Sequence, residues 1–168
     1  METFSSLVAL LERRAASPPD DQAYVFLSDH GAEETAVTFR ELHDAARSLA
    51  ASLTAIVHPG DRAILIFPPG LEFIVAFFAC QIARVIPVPM MVPRRLSSRD
   101  SSAAIMANCR PVLALTSTAF ALRRELHERF AADRLQWLSV DLRPRLAALP
   151  NLMLATIPSA ILSARLGR

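Results

Sequence analysis

"DRAILIFPPGLEFIVAFFACQIARVIPVPM", residues 61–90, holds both patterns needed to choose a fold. "AILIF" is an unbroken apolar run, the form taken by a parallel strand covered on both faces. Pro68, Pro69 and Gly70 break it, residues 71–83 are apolar over a helical length, and "VIPVPM" reads as a second strand. Strand, helix and strand in this order make one βαβ unit with a right-handed crossover. A membrane span is excluded here, because crossing the hydrocarbon core takes about 20 apolar residues. The helix is shorter, carries Glu72 and Gln81, ends at Arg84, and is followed by Pro87 and Pro89, which resist helical continuation. At about 100° per residue, Leu71, Phe73, Ile74, Val75, Phe77, Phe78 and Ile82 spread over an arc wider than a surface helix needs, and Glu72, Ala76, Ala79 and Ala83 gather on the other face. The expectation is that these seven large side chains demand cover from more than one sheet face and that this stretch is the main exposed apolar patch of the chain.

The same alternation extends outward from this unit. Towards the C-terminus, residues 97–108 read as a helix, "PVLALTS" as a strand, residues 119–131 as a helix with Leu122, Leu126 and Phe130 on one stripe, and "LQWLSV" as a final strand. Towards the N-terminus, Thr38 and Glu41 form a capping box for a helix whose stripe is Leu42, Ala46, Leu49, Leu53 and Ile56. Before it, "QAYVFLSD" and "TAVTF" form a hairpin around "DHGAEE". Phe4, Leu7, Val8, Leu10 and Leu11 give an amphipathic first helix that stops before Pro18 and Pro19. The fold class is therefore α/β: a parallel sheet of strand-helix units flanked by helices, with an N-terminal helix and β-hairpin. Residues 1–141 form this unit. Residues 142–168 are an irregular or partly helical tail, with Pro144, Pro150 and Pro158 and no acidic residue after Asp141.

Composition narrows the chemistry. The formal net charge is +2 and all 18 basic residues are arginine, so the chain contains no lysine and lysine-dependent chemistry is excluded. There is no basic run to suggest a nucleic-acid partner. Cys80 and Cys109 are far apart, without CxxC or histidine at ligand spacing, so no zinc site or disulfide framework is indicated. The N-terminus lacks the basic start and long apolar segment of an export signal, which leads to the expectation of a cytoplasmic protein.

In open parallel sheets, ligands bind at the carboxyl ends of the strands, so the turn after "AILIF" is the first place to look. A phosphate cradle aims successive backbone N–H groups at the anion, and Pro68 and Pro69 have none. Among the four glycines no GxGxxG or Walker loop can be built. There is no GxSxG and no HExxH; Glu33 and Glu34 fall in the hairpin turn, and His30, His43, His58 and His127 are scattered over loops and polar faces. From the residues alone, no catalytic, cofactor-binding or metal-binding residue is assigned. Arg94, Arg95 and Arg99 form a basic loop that could dock an acidic partner or a phosphate; as a plain solvated loop they need no partner. In the tail, Leu152, Met153, Leu154, Ile157, Ile161 and Leu162 with Arg165 and Arg168 could lie on a lipid surface.

Taken together, "TFRELHDAARSLAASL", "PGDRAILIFPPGLEFIVAFFACQIARVIPVP" and "RDSSAAIMANCRPVLALTSTAFALRRELHERF" resemble the N-terminal region of a fatty acyl-AMP ligase, a branch of the adenylate-forming ligases. The resemblance runs from about Leu7 to Asp141. It implies part of the adenylate-forming ligase fold, in a family that activates fatty acids with ATP and magnesium and passes the acyl group to an acyl carrier protein. The family's phosphate loop, ending in Pro-Lys-Gly, should follow "LQWLSV"; "DLRPRLAALPNLMLATIPSAILSARLGR" stands there instead. No family site residue can be transferred, and the two expectations are an inactive ligase fragment or a non-catalytic module that docks a carrier protein or the remainder of a ligase. Arg84 stands where the family tends to have glycine, at a helix end where a left-handed residue would favour glycine by about 1 kcal/mol.

Overall fold

The computed structural model describes residues 5–16, 18, 21–27, 31, 33–91, 101–121, 128, 130, 135–142 and 155–156. In chain order the elements are α1 (Leu7–Ala16), β1 (Gln22–Leu27), β2 (Glu33–Thr38), α2 (Phe39–Leu53), β3 (Arg62–Ile66), α3 (Leu71–Ile82), β4 (Ile86–Met90), α4 (Ser102–Cys109), β5 (Leu113–Ser117), α5 (Thr118–Ala121), β6 (Gln136–Val140) and β7 (Ala155–Thr156). β1 and β2 pair as a separate antiparallel hairpin, and the main sheet runs β4-β3-β5-β6-β7. Its first four strands are mutually parallel, while the short β7, from the C-terminal tail, joins β6 antiparallel. The α/β reading therefore holds, with its N-terminal helix and hairpin. Glu33 and Glu34 belong to β2 rather than to the turn before it, because the hairpin pairs Glu33 with Leu27.

Alternation along the strands sends side chains to two cores. Ala63, Leu65, Leu113, Leu115, Leu138 and Val140 face a core shared with α1, α2 and α3. Ile64, Ile66 and Ala114 face the second, with Phe130 and, from α4, Ile105, Met106 and Cys109. Because both faces are covered, every residue of β5 is buried. Of the helix expected over 119–131, α5 covers the start, Glu128 is helical and Phe130 is buried in the second core, while residues 122–127, including Leu122 and Leu126, lie outside the described residues, as do residues 97–100 at the expected start of α4 and most of the tail.

α2 follows its sequence closely. The Glu41 N–H donates to Thr38 Oγ1 at 3.2 Å and the Thr38 N–H donates to Glu41 Oε2 at 2.9 Å, a reciprocal cap that satisfies two N–H groups at the helix start. Leu42, Ala46, Leu49 and Leu53 are buried as a stripe, each leucine stabilising the fold by about 1.5–3 kcal/mol. Ile56, expected on the same stripe, is 42% exposed, since the helix ends at Leu53 and the chain has already turned.

α3 corrects its expectation in part. Of the large side chains Leu71 and Val75 are buried; Ala76, Ala79 and Ala83 are fully or almost fully buried beside them, while Phe73, Ile74, Phe77, Phe78 and Ile82 are half-buried and pack against the margin of the core rather than forming the main exposed patch. The small face points inward because it lets the α3 backbone approach α2 and the sheet, where large side chains would hold it away. The rings then cover one another: Phe67 and Phe73 lie 6.5 Å apart, Phe73 and Phe77 6.3 Å, and Phe77 and Phe78 6.0 Å. The exposed large apolar side chains lie elsewhere, with Val25 and Leu27 on β1 and Ile86 and Met91 beside the edge of the sheet.

β4 is that edge, and its prolines have a positional reason. The Ile86 N–H donates to Asp61 O at 2.8 Å, towards the β3 side. Alternation then sends the amide positions of Pro87 and Pro89 to the open side, where a proline withholds the donor that a foreign strand would use.

Candidate functional site

The chain leaves β3 for β4 on one flank and leaves β5 towards β6 on the other, so the carboxyl ends of the adjacent strands β3 and β5 mark the topological switch point. Phe67, Pro68, Pro69 and Gly70 lead from β3 into α3, and Thr116, Ser117 and Thr118 end β5 and begin α5. Thr116 Oγ1 donates to Ile66 O at 2.6 Å and is fully buried, tying the two strand ends together. Ser117 is 7% exposed, and its Oγ is a buried polar atom with no hydrogen-bond partner. An orphan hydroxyl of this kind costs about 1–3 kcal/mol.

This edge can support a structure but is poorly made to hold a nucleotide. Pro68 and Pro69 supply no N–H. Glu72 places a carboxylate oxygen so close to Gly70 that a Cβ there would lie 2.9 Å from it. No side chain caps the N-terminus of α3, and the Glu72 carboxylate already answers the positive end of the helix dipole. Among the described residues no group of three or more His, Cys, Asp or Glu gathers to hold a metal. The described residues at this turn therefore do not form a cradle for ATP phosphates with magnesium.

Other groups singled out in the sequence stay apart. His43 Nδ1 is 3.3 Å from Asp44 Oδ1 on α2, and His58 Nδ1 is 3.8 Å from Asp61 Oδ2 in the loop before β3. Burial raises the Cys80 thiol to about 12, which makes it a core residue rather than a nucleophile. Cys109 is also raised by burial, against the lowering effects of a backbone hydrogen bond and of Arg62. Arg94, Arg95 and Arg99 lie outside the described residues, as do His30 and His127. The orphan Ser117 hydroxyl was missed from sequence, where "LALTS" signals a buried strand and gives no sign of which hydroxyl lacks a partner.

The opposite edge holds what the sequence only partly foretold. After α3, the Val85 N–H donates to Cys80 O at 2.8 Å and the Arg84 N–H to Gln81 O at 3.1 Å, the paired bonds of a Schellman turn. Arg84 occupies it at φ 59° and Arg110, capping α4, sits at φ 46°. Each costs about 1–2 kcal/mol, a cost glycine would not bear.

Against known proteins, the AMP-binding enzyme family model matches residues 11–150, and the chain belongs to that family. It is 34% identical over 146 residues to the long-chain-fatty-acid–AMP ligase FadD32 of Mycolicibacterium smegmatis, covering 83% of this chain and 23% of the relative. It is 38% identical over 90 residues to the medium-chain-fatty-acid–[acyl-carrier-protein] ligase JamA of Moorena producens, covering 54% of this chain and 15% of the relative. The fold superimposes on the fatty acid AMP ligase of Legionella pneumophila with a TM-score of 0.70 and 29% identity, over 89% of this chain and 26% of that structure. The chain thus spans about a quarter or less of these ligases, and it resembles part of the fatty acyl-AMP ligase fold, consistent with an N-terminal portion. No helix among the described residues is long and apolar enough to cross a membrane.

Proposed function

We propose that the chain is the N-terminal subdomain of a fatty acyl-AMP ligase, with residues 1–141 as the folded unit and 142–168 as a divergent tail. In this reading it supplies the scaffold of the acyl-activating domain but does not itself perform the activation. One observation carries it: a family match from residue 11 to 150 in a sequence without a single lysine. The family's phosphate-loop and adenylating lysines have no counterpart in such a chain. Pro68 and Pro69 support the same reading, because the first strand-end turn offers almost no N–H groups for a phosphate. Two free thiols suit a reducing, cytoplasmic setting. ATP and magnesium, and transfer of the acyl group to a carrier protein, belong to the complete ligase. The test is ATP/pyrophosphate exchange by this 168-residue chain with a long-chain fatty acid. The expected result is background exchange, and clear exchange would overturn the assignment.

A second reading makes the chain a non-catalytic module that docks a carrier protein or a ligase partner. The likeness to JamA, a ligase acting on an acyl carrier protein, favours asking this, with Arg94, Arg95 and Arg99 as the candidate contacts. Retention of an acyl carrier protein by the wild type, lost when the three arginines are changed to alanine, is the expected signature. Equal retention by both would remove those residues from the contact.

A further inference from the structure

We propose that β7 is a guard strand: the tail folds back onto the one edge of the main sheet that lacks protection of its own, and so keeps β6 of this chain from pairing with β6 of a second copy. A sheet edge is a row of backbone N–H and C=O groups ready to accept a foreign strand. The main sheet runs β4-β3-β5-β6-β7, and its two ends are closed by different means. At β4, Pro87 and Pro89 withhold the donors. β6, Gln136–Val140, reads QWLSV and has neither a proline nor a charge to spoil its edge. An uncharged, mostly apolar strand of this kind pairs readily between copies of a chain when it is left open.

The register shows how β7 closes that edge. The Gln136 N–H donates to Val112 O at 3.0 Å, towards β5. Alternation turns the N–H and C=O of Leu138 and Val140 the same way, and those of Ser139 to the other side. There Ser139 is paired with Ala155 and Leu138 with Thr156. Ala155 therefore faces β6 with its own N–H and C=O, whereas those of Thr156 point away. The pairing sits at the middle of β6, with Gln136 and Trp137 before it and Val140 after it, stretches too short for another strand to hold. β7 is itself two residues long, and a very short edge strand is one of the ways in which natural sheets end safely.

Two features identify a copy of this chain as the strand kept out. Antiparallel pairing of β6 with itself about Ser139 sets Ser139 against Ser139 and Trp137 against the copy's Asp141, so no like charges meet. Because proline blocks β4, each copy has a single edge to give, and association closes at two chains. β7 is also lightly held. It runs antiparallel to β6, unlike the other strands of the main sheet, and meets it over two residue pairs, of which only Ser139 and Ala155 face each other with their hydrogen-bonding groups. A strand held so lightly opens without unfolding the sheet behind it. None of this depends on the ligase reading, because it concerns the flank of β6 and not the strand ends at the switch point.

The test uses the full 168-residue chain as wild type, as Ala155→Pro and as Thr156→Pro. Proline at 155 deletes the N–H aimed at Ser139, while proline at 156 deletes one aimed away from β6. Amide hydrogen exchange is followed in dilute solution, and light scattering across a concentration series. In Ala155→Pro the Ser139 amide is expected to exchange about tenfold faster than in wild type, and the chain to pass from monomer to dimer as concentration rises. The Gln136 amide, bonded to β5, is expected to keep its protection, which shows that the sheet stays folded. Thr156→Pro is expected to match the monomeric wild type in both measurements. A monomeric Ala155→Pro, unchanged exchange at Ser139, equal behaviour of the two variants, assembly beyond the dimer, a wild type that is already dimeric, or loss of protection at Gln136 would each overturn the proposal.

Discussion

α2 and α3 lie side by side in the same core yet obey different rules. α2 is two-faced, with large leucines inside and polar residues outside, started by a reciprocal cap. α3 is apolar nearly all round, so polarity cannot say which side faces in, and size decides instead. Its alanines go inward together with Leu71, Val75 and Cys80, and its phenylalanines ride at the margin. A hydrophobic stripe marks the inside of a helix only when the opposite face is polar; a helix without a polar face is oriented by how closely its backbone must approach its neighbours.

The largest predicted effect tests the α2 side of that contrast. Leu49 is fully buried, and Leu49→Ala should cost about 2–5 kcal/mol through lost burial and a residual cavity, read as a drop in the urea midpoint. On α3 the sensitive change is in the opposite direction of size. Ala79→Leu should destabilise by about 1–3 kcal/mol by overpacking, whereas Ala79 placed outward, as the helical wheel suggests, would tolerate the larger side chain. A neutral Ala79→Leu would break the comparison. Thr38→Ala removes the cap and should cost about 1 kcal/mol, with m-value unchanged in urea unfolding. The smallest effect at neutral pH concerns Cys80. Its folded thiol is raised to about 12 from an ordinary 9.0, so the unfolded chain releases that proton first. Stability from this group is intact below pH 9 and declines as pH rises from there towards 12. A thiol reagent at pH 8 should accordingly label Cys80 only after unfolding, which mass mapping of the modified cysteine would show.

Much of the fold could be read from the sequence, for identifiable reasons. Pro68 to Gly70 and the paired Pro87 and Pro89 punctuate the chain so sharply that strand, helix and strand separate without ambiguity. Thr38 and Glu41 mark a helix start because their spacing matches a specific hydrogen-bonding need. What could not be read depended on contacts between distant residues. The orientation of α3 follows from the approach of α2 and the sheet, and the orphan hydroxyl of Ser117 depends on what surrounds β5 on both sides. The left-handed turn at Arg84 was foreseeable only through the family's preference for glycine there. The matching turn at Arg110 had no such signal, since "NCRPV" carries no glycine. At the switch point the two prolines were legible as a break between strand and helix, while the Thr116 bond to Ile66 required the strand order.

The central claim is that this chain keeps the scaffold of an acyl-activating domain without a nucleotide site of its own. Isothermal titration of the folded chain with ATP and magnesium tests it most directly. The account predicts no saturable heat beyond dilution; saturable binding, abolished by substitutions at Ser117 or Thr116 that leave the melting transition in place, would contradict it.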